Sequence, residues 1–166
     1  MVFPIHLTGN QLSSNSQNAI TLAKSKALGE FKQGKVIYSN YEALYLIENK
    51  NAELIKTNKK IPANQSQGIL LKNKEEQNKY LVYLDLRKKG LVPKTGMKFG
   101  ADFRVYEKNK SHATYLVFIT TEKSKLEIKE LLSKTRISHS TAKKLLIAVI
   151  DSQEDVTYIE ADWKRL

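Results

Sequence analysis

The 166-residue chain has three histidines, no cysteine, and 28 lysine and arginine residues against 17 aspartates and glutamates. Without cysteine there is no thiolate nucleophile, thiolate metal site or disulfide, so a catalyst here must work through oxygen and nitrogen groups. His6, His112 and His139 lie far apart and show no ligand spacing such as an i, i+4 pair, so a zinc site is not expected. Taken one at a time, each reads as a surface or hydrogen-bonded structural histidine. Asp102 with Glu127-Ile128-Lys129 formally matches the acid plus Glu-x-Lys pattern with which some nucleases hold magnesium. Glu127 falls in a helical pattern, however, where a strand would be required. The formal net charge of +11 fits either a polyanionic partner or a merely lysine-rich surface. The excess is shared by both halves of the chain, so no basic tail acts as a detachable arm.

These residues must be held by a mixed α/β (α+β) chain of two small domains, expected over residues 1–78 and 79–166. In the first, Phe3 to Leu7 is a short apolar segment and Ser16 to Leu28 is helical. Lys35-Val36-Ile37-Tyr38 is a strand, and Ser39-Asn40 caps a helix whose buried face includes Tyr41, Leu44 and Tyr45. Ala52 to Thr57 is a strand, Lys59 to Ser66 a break, and the following stretch is helical to a glycine stop at Lys89-Gly90. In the second, Phe99 to Tyr106 and His112 to Thr120 form a hairpin around the polar tip Glu107 to Ser111. A helix follows over Ser124 to Ser133. Leu145 to Ile150 is a buried strand, and Val156-Thr157-Tyr158-Ile159 returns after the acidic turn Asp151 to Asp155. No apolar run approaches the length of a membrane span, and the N-terminal segment lacks a signal-peptide pattern, so a cytoplasmic protein without membrane partners is expected.

Several long segments go further than periodicity. Tyr83-Leu84-Asp85-Leu86-Arg87-Lys88-Lys89-Gly90 is followed by Lys94-Thr95-Gly96-Met97-Lys98-Phe99-Gly100-Ala101-Asp102-Phe103-Arg104-Val105-Tyr106. Then come His112-Ala113-Thr114-Tyr115-Leu116-Val117, Arg136-Ile137-Ser138-His139-Ser140-Thr141-Ala142-Lys143-Lys144-Leu145-Leu146 and Asp155-Val156-Thr157-Tyr158. Together these resemble the signature of archaeal tRNA-splicing endonucleases, most closely from Tyr80 to Trp163. Glu42-Ala43-Leu44-Tyr45-Leu46 resembles the N-terminal domain of that family.

The resemblance implies a restriction-endonuclease-like C-terminal domain with a mixed central sheet and an active site of Tyr106, His112 and Lys143. It also implies metal-independent, cofactor-free cleavage of precursor tRNA at bulge-helix-bulge sites, in which a ribose 2′-hydroxyl attacks the adjacent phosphate. The products would be a 2′,3′-cyclic phosphate and a 5′-hydroxyl. Those side chains suit the task. Histidine, with an ordinary pKa of about 6.5, can protonate the leaving 5′-oxygen, which makes His112 the general acid. Lysine offers a point cation to the non-bridging oxygens, which assigns Lys143 to transition-state charge. Tyr106 is left as general base, and a phenol that ordinarily titrates near 10 would need neighbouring cations such as Arg104, Lys108 or Lys143. The family motif puts the catalytic lysine first in the Lys143-Lys144 pair. Ala142 stands where relatives usually carry arginine, and the connection from tyrosine to histidine is short.

The same resemblance puts Arg136 where the family grips a bulged base, although a solvated arginine after a helix explains it equally well. Trp163 is a stacking platform or a packing residue, and His139 is read as structural. Asp151, Glu154 and Asp155 match an acidic loop that enters a basic pocket of a neighbouring subunit in relatives, while the last strands pair across an isologous interface. A homotetramer, or a heterotetramer with a non-catalytic paralogous subunit, is therefore expected. The rival readings are a metal-dependent nuclease of related fold and a non-catalytic structural or RNA-binding subunit.

Overall fold

The computed structural model describes residues 2–164 and 166, and the chain divides into a unit of residues 1–77 and a unit of residues 78–166. The first unit begins with β1 (Phe3–Thr8), β2 (Gln11–Ser14), α1 (Gln17–Lys26), β3 (Glu30–Lys32) and β4 (Lys35–Tyr38). It continues with α2 (Asn40–Glu48), β5 (Ala52–Lys56), β6 (Lys59–Ile61) and α3 (Ala63–Leu70), and α4 (Lys74–Lys88) leads into the second unit. Its sheet has the order β3-β4-β2-β1-β5-β6, with β1 and β5 parallel and the other neighbours antiparallel. The cap read at Ser39 is present as a reciprocal pair: Glu42 N–H donates to Ser39 Oγ at 3.2 Å and Ser39 N–H to the Glu42 carboxylate at 3.0 Å. Beneath it, α2 buries Ala43, Leu44, Leu46 and Ile47, while Tyr41 and Tyr45 are only partly buried.

Two expectations for this unit are corrected. Lys59 to Ile61 is a strand rather than a break, joined to β5 by the two-residue turn Thr57-Asn58, both residues at positive φ (51° and 59°). The helical stretch after it is two helices. Asn73 Oδ1 accepts from Glu76 N–H at 2.9 Å and Glu76 accepts from Lys72 N–H at 2.5 Å, so a fresh N-terminus is built at Asn73-x-x-Glu76.

The second unit adds β7 (Val92–Thr95), a 3-10 turn over Met97–Phe99, β8 (Phe103–Tyr106), β9 (Tyr115–Thr121), α5 (Ile128–Ser140), β10 (Lys144–Ile150) and β11 (Val156–Ala161). These strands form one mixed sheet in the order β11-β10-β9-β8-β7, in which only β9 and β10 run parallel, connected through α5. The two mixed sheets and five helices among the described residues give the expected mixed α/β class. Alternation sorts the sheet's faces. One face carries Leu116, Phe118, Leu145 and Ile147, packed with Phe99 and with Leu131 and Ile137 of α5. The other carries Phe103 and Val117, paired with one another and so on one face, with Tyr83 of α4 against Phe103 at 6.2 Å between ring centroids. On that side Tyr158 O–H donates to Asp85 at 2.7 Å, and burial, then this bond, pushes the phenol's pKa well up.

Phe99 lies in the 3-10 turn rather than in a strand, and α5 begins and ends later than the Ser124 to Ser133 expected. Its buried side includes Thr135 and Ser138, so polar residues hide the helical period there. The pair β7 and β8 is a second hairpin that the sequence pattern did not disclose, because β7 carries Pro93 and Lys94, which an edge strand tolerates. Among the described residues no helix is long and apolar enough to cross a membrane.

Candidate active site

Tyr106 ends β8, His112 lies in the connection to β9, and Lys143 immediately precedes β10, so all three fall at one end of one sheet. The pairing fixes this further. Val105 is the partner of Tyr115, Tyr115 of Lys144, and Thr114 N–H donates to Val105 O at 2.9 Å while Lys144 N–H donates to Thr114 O at 2.9 Å. One residue along from these partners, Tyr106, Thr114 and Lys143 form a row across three adjacent strand ends. By alternation that row shares a face with Leu116 and Leu145, the face covered by α5. With strands about 4.8 Å apart, the backbones of Tyr106 and Lys143 are about 10 Å apart, with Thr114 between them. His112 is exposed, two residues before Thr114 in the connection from β8 to β9.

The turn that aims Lys143 is a Schellman closure of α5. Lys143 N–H donates to Ser138 O at 2.8 Å and Ala142 N–H to His139 O at 3.1 Å, with Ala142 left-handed at φ 52°. Lys143 Nζ then donates to Thr141 O at 2.9 Å and lies 5.0 Å from the centre of the Phe99 ring. Its neighbour differs. Lys144 points to the other face, where Nζ bonds Glu160 at 3.1 Å, and that bond raises the pKa of the exposed ammonium. Of the cations considered for Tyr106, Arg104 is the one in contact, its guanidinium carbon 5.8 Å from the ring centre.

Glu107, in sequence only part of a polar tip, ties this corner together. Its carboxylate accepts from Thr114 Oγ1 at 3.1 Å and Tyr115 O–H at 3.4 Å and pairs with Lys110 at 2.5 Å, closing both ends of the segment that carries His112. The Lys110 bond first, and the Thr114 bond next, hold the carboxyl below the usual carboxylate range. A depressed folded-state pKa means the contribution is complete above the unfolded value and is lost as pH falls through the folded one. A Glu107→Gln protein is therefore expected to melt lower than the parent near neutrality, with the difference shrinking in acid. Melting curves from pH 3 to 7 check this; a constant difference would show that ionisation is not involved.

The remaining sequence candidates fall on two sides. Arg136 is exposed on α5 itself rather than after it, three residues before His139. The His139 ring meets Trp163 at 5.1 Å between centroids, so Trp163 stands beside the last turn of α5 and close to the Lys143 turn. Asp151, Glu154 and Asp155 are at the far tip between β10 and β11. Asp151 Oδ1 accepts from Gln153 and Asp155 N–H, both at 2.9 Å, and Glu154 takes the left-handed position at φ 65° that glycine would favour. Asp102, the first acid of the metal-dependent rival, accepts from Ile119 N–H at 2.8 Å and pairs with Lys79 at 3.1 Å. Glu127 sits at the N-terminus of α5 and not on a strand. Among the described residues no group of three His, Cys, Asp or Glu could hold a metal ion. A cleft of about 380 Å³ near Phe118, Lys125 and Lys134 contains none of Tyr106, His112 and Lys143.

Residues 77–158 match the family model of the tRNA intron endonuclease catalytic C-terminal domain. The tRNA-splicing endonuclease of Thermococcus gammatolerans is 34% identical over 163 residues, covering 96% of this chain and 97% of that one. That of Methanothermobacter thermautotrophicus is 36% identical over 141 residues, 82% of each. A third, from Thermococcus kodakarensis, is 33% identical over 161 residues, 95% of this chain and 96% of its own. With that identity over nearly the whole of both chains, the protein belongs to the tRNA-splicing endonuclease family.

Proposed function

We propose that the protein cuts precursor tRNA at bulge-helix-bulge splice sites, in the cytoplasm, by a metal-independent transfer that leaves a 2′,3′-cyclic phosphate and a 5′-hydroxyl. The observation that supports it best is the row of Tyr106 and Lys143 on one sheet face, with His112 in the connection between β8 and β9. In this reading the 2′-oxygen bonds to phosphorus as its proton passes to the Tyr106 oxygen. The bond from phosphorus to the 5′-oxygen breaks, and His112 supplies the proton that oxygen needs. Lys143 meets the charge that grows on the non-bridging oxygens. Since the nucleophile belongs to the RNA, a substrate with a single 2′-deoxy residue before the scissile phosphate should resist cleavage completely while binding normally. Cleavage of that substrate would contradict the scheme.

Trp163 beside the Lys143 turn, and Arg136 about one turn earlier on α5, are suited to hold a splayed-out bulge base, a planar cation and an indole being good stacking partners. The positive charge suits the RNA backbone, and affinity should fall steeply with salt. Two spaced cuts call for two active sites, hence an assembly of four identical chains or of two with two non-catalytic paralogues. The edge position of β11, with Ile159 half exposed, supports pairing of that strand with its counterpart. The acidic tip would enter a basic pocket of a neighbouring subunit. Replacing Asp151, Glu154 and Asp155 by neutral residues should lower the sedimentation coefficient with a near-unchanged melting temperature, and unchanged sedimentation would remove the tip from the interface.

A further inference from the structure

The segment Lys94-Thr95-Gly96-Met97-Lys98-Phe99-Gly100 is the most distinctive part of the sequence, yet none of its side chains has a role in the chemistry above. Its backbone is closely determined. Phe99 N–H donates to Gly96 O at 2.8 Å and Ala101 N–H to the same oxygen at 3.2 Å. A Cβ on Gly96 would stand 2.7 Å from Ala101 O and 2.9 Å from Phe103 C, so only glycine fits there without moving backbone. Gly100, at φ 63°, completes the turn. What the turn presents is the Phe99 ring, partly buried against the core cluster, with the Lys143 ammonium 5.0 Å from its centre.

We propose that Phe99 is a positioning residue for Lys143, holding the ammonium over its ring face so that the charge stays fully available to the scissile phosphate. The proposal rests on the reading of Lys143 as the cation that meets transition-state charge. An ammonium has three protons to donate, and Thr141 O takes one. A carboxylate in the remaining space would fix the side chain but cancel its charge, as Glu160 does for Lys144. An aromatic face within about 6 Å attracts the cation while leaving it positive and its other protons free. Among the described residues, no carboxylate pairs with Lys143, and its only partners are this ring and the Thr141 carbonyl. Gly96 and Gly100 thereby act on catalysis through the ring they present.

The test measures cleavage of a precursor-tRNA substrate by Phe99→Leu, Phe99→Met and Phe99→Tyr proteins, alone and in a Lys143→Ala background. Circular dichroism confirms folding, and methionine, which fills a similar volume without a π-face, serves if the leucine variant does not fold. Phe99→Leu and Phe99→Met should lower kcat about fivefold to tenfold with KM within about twofold. Phe99→Tyr, which keeps the face, should stay within about twofold of the parent. In the Lys143→Ala background the same changes should have no further effect on the residual rate. Equal slowing in both backgrounds would show a merely structural role and overturn the proposal, as would an unchanged kcat in either ring-less variant. A Lys143→Ala protein that cleaves at the parental rate would instead overturn the catalytic reading of Lys143, and this proposal with it.

Discussion

A His112→Ala protein is expected to cleave about 10²- to 10⁴-fold more slowly than the parent, the usual value of a positioned proton donor. RNA binding and melting temperature should change little, because His112 is exposed on a connecting segment and buries nothing that holds the sheet. The role can be separated from general damage by a substrate in which sulfur replaces the 5′-bridging oxygen. A thiolate leaves without needing a proton, so the variant should recover most of its rate on that substrate while the parent gains little. If the sulfur substrate leaves the deficit intact, His112 is not the acid. If the substitution costs RNA affinity instead of rate, His112 is a binding residue.

The second large effect separates two adjacent lysines. Lys143→Ala should lower kcat about 10²- to 10³-fold, in line with removal of one group that stabilises transition-state charge. Arginine at the position should restore only part of this, since its planar fork cannot reproduce the ammonium's point charge. Lys144→Ala should stay within about threefold of the parent, because that side chain is on the opposite face, in an exposed pair with Glu160. The two variants are one residue apart and equal in net charge, so a difference between them cannot come from bulk electrostatic attraction to RNA. Single-turnover rates at saturating enzyme measure it directly, and equal losses would contradict the assigned register.

How the sequence encodes this arrangement can be followed element by element. The unbroken apolar run from Leu145 to Ile150 announced β10, and the polar tip at Glu107 to Ser111 announced the β8–β9 hairpin, because burial and turn chemistry leave local marks. The end of α5 left none. Its left-handed residue is Ala142 in place of the usual glycine, and its buried side uses Thr135 and Ser138, so neither the stop nor the period was visible. The lysine turn is legible instead through a motif shared with a family. The roles of Phe99 and Glu107 are hidden for a different reason. Phe99 meets Lys143 and Glu107 meets Thr114 only after the sheet has formed, and no spacing rule links residues that register brings together. The reading of Tyr106 and Lys143 on a common face also needed the pairing of three strands, which alternation within any one of them does not supply.

In the proposed reading the chain carries every catalytic group and needs no metal, whether four copies assemble or two join two non-catalytic paralogues. The purified protein, alone and together with a paralogous subunit, should be incubated with a bulge-helix-bulge RNA in excess chelator, and the ends of the products identified. Excision with 2′,3′-cyclic phosphate and 5′-hydroxyl ends, at a rate unaffected by the chelator, is the expected result. Cleavage that stops with chelator, or that leaves 5′-phosphate ends, would contradict it.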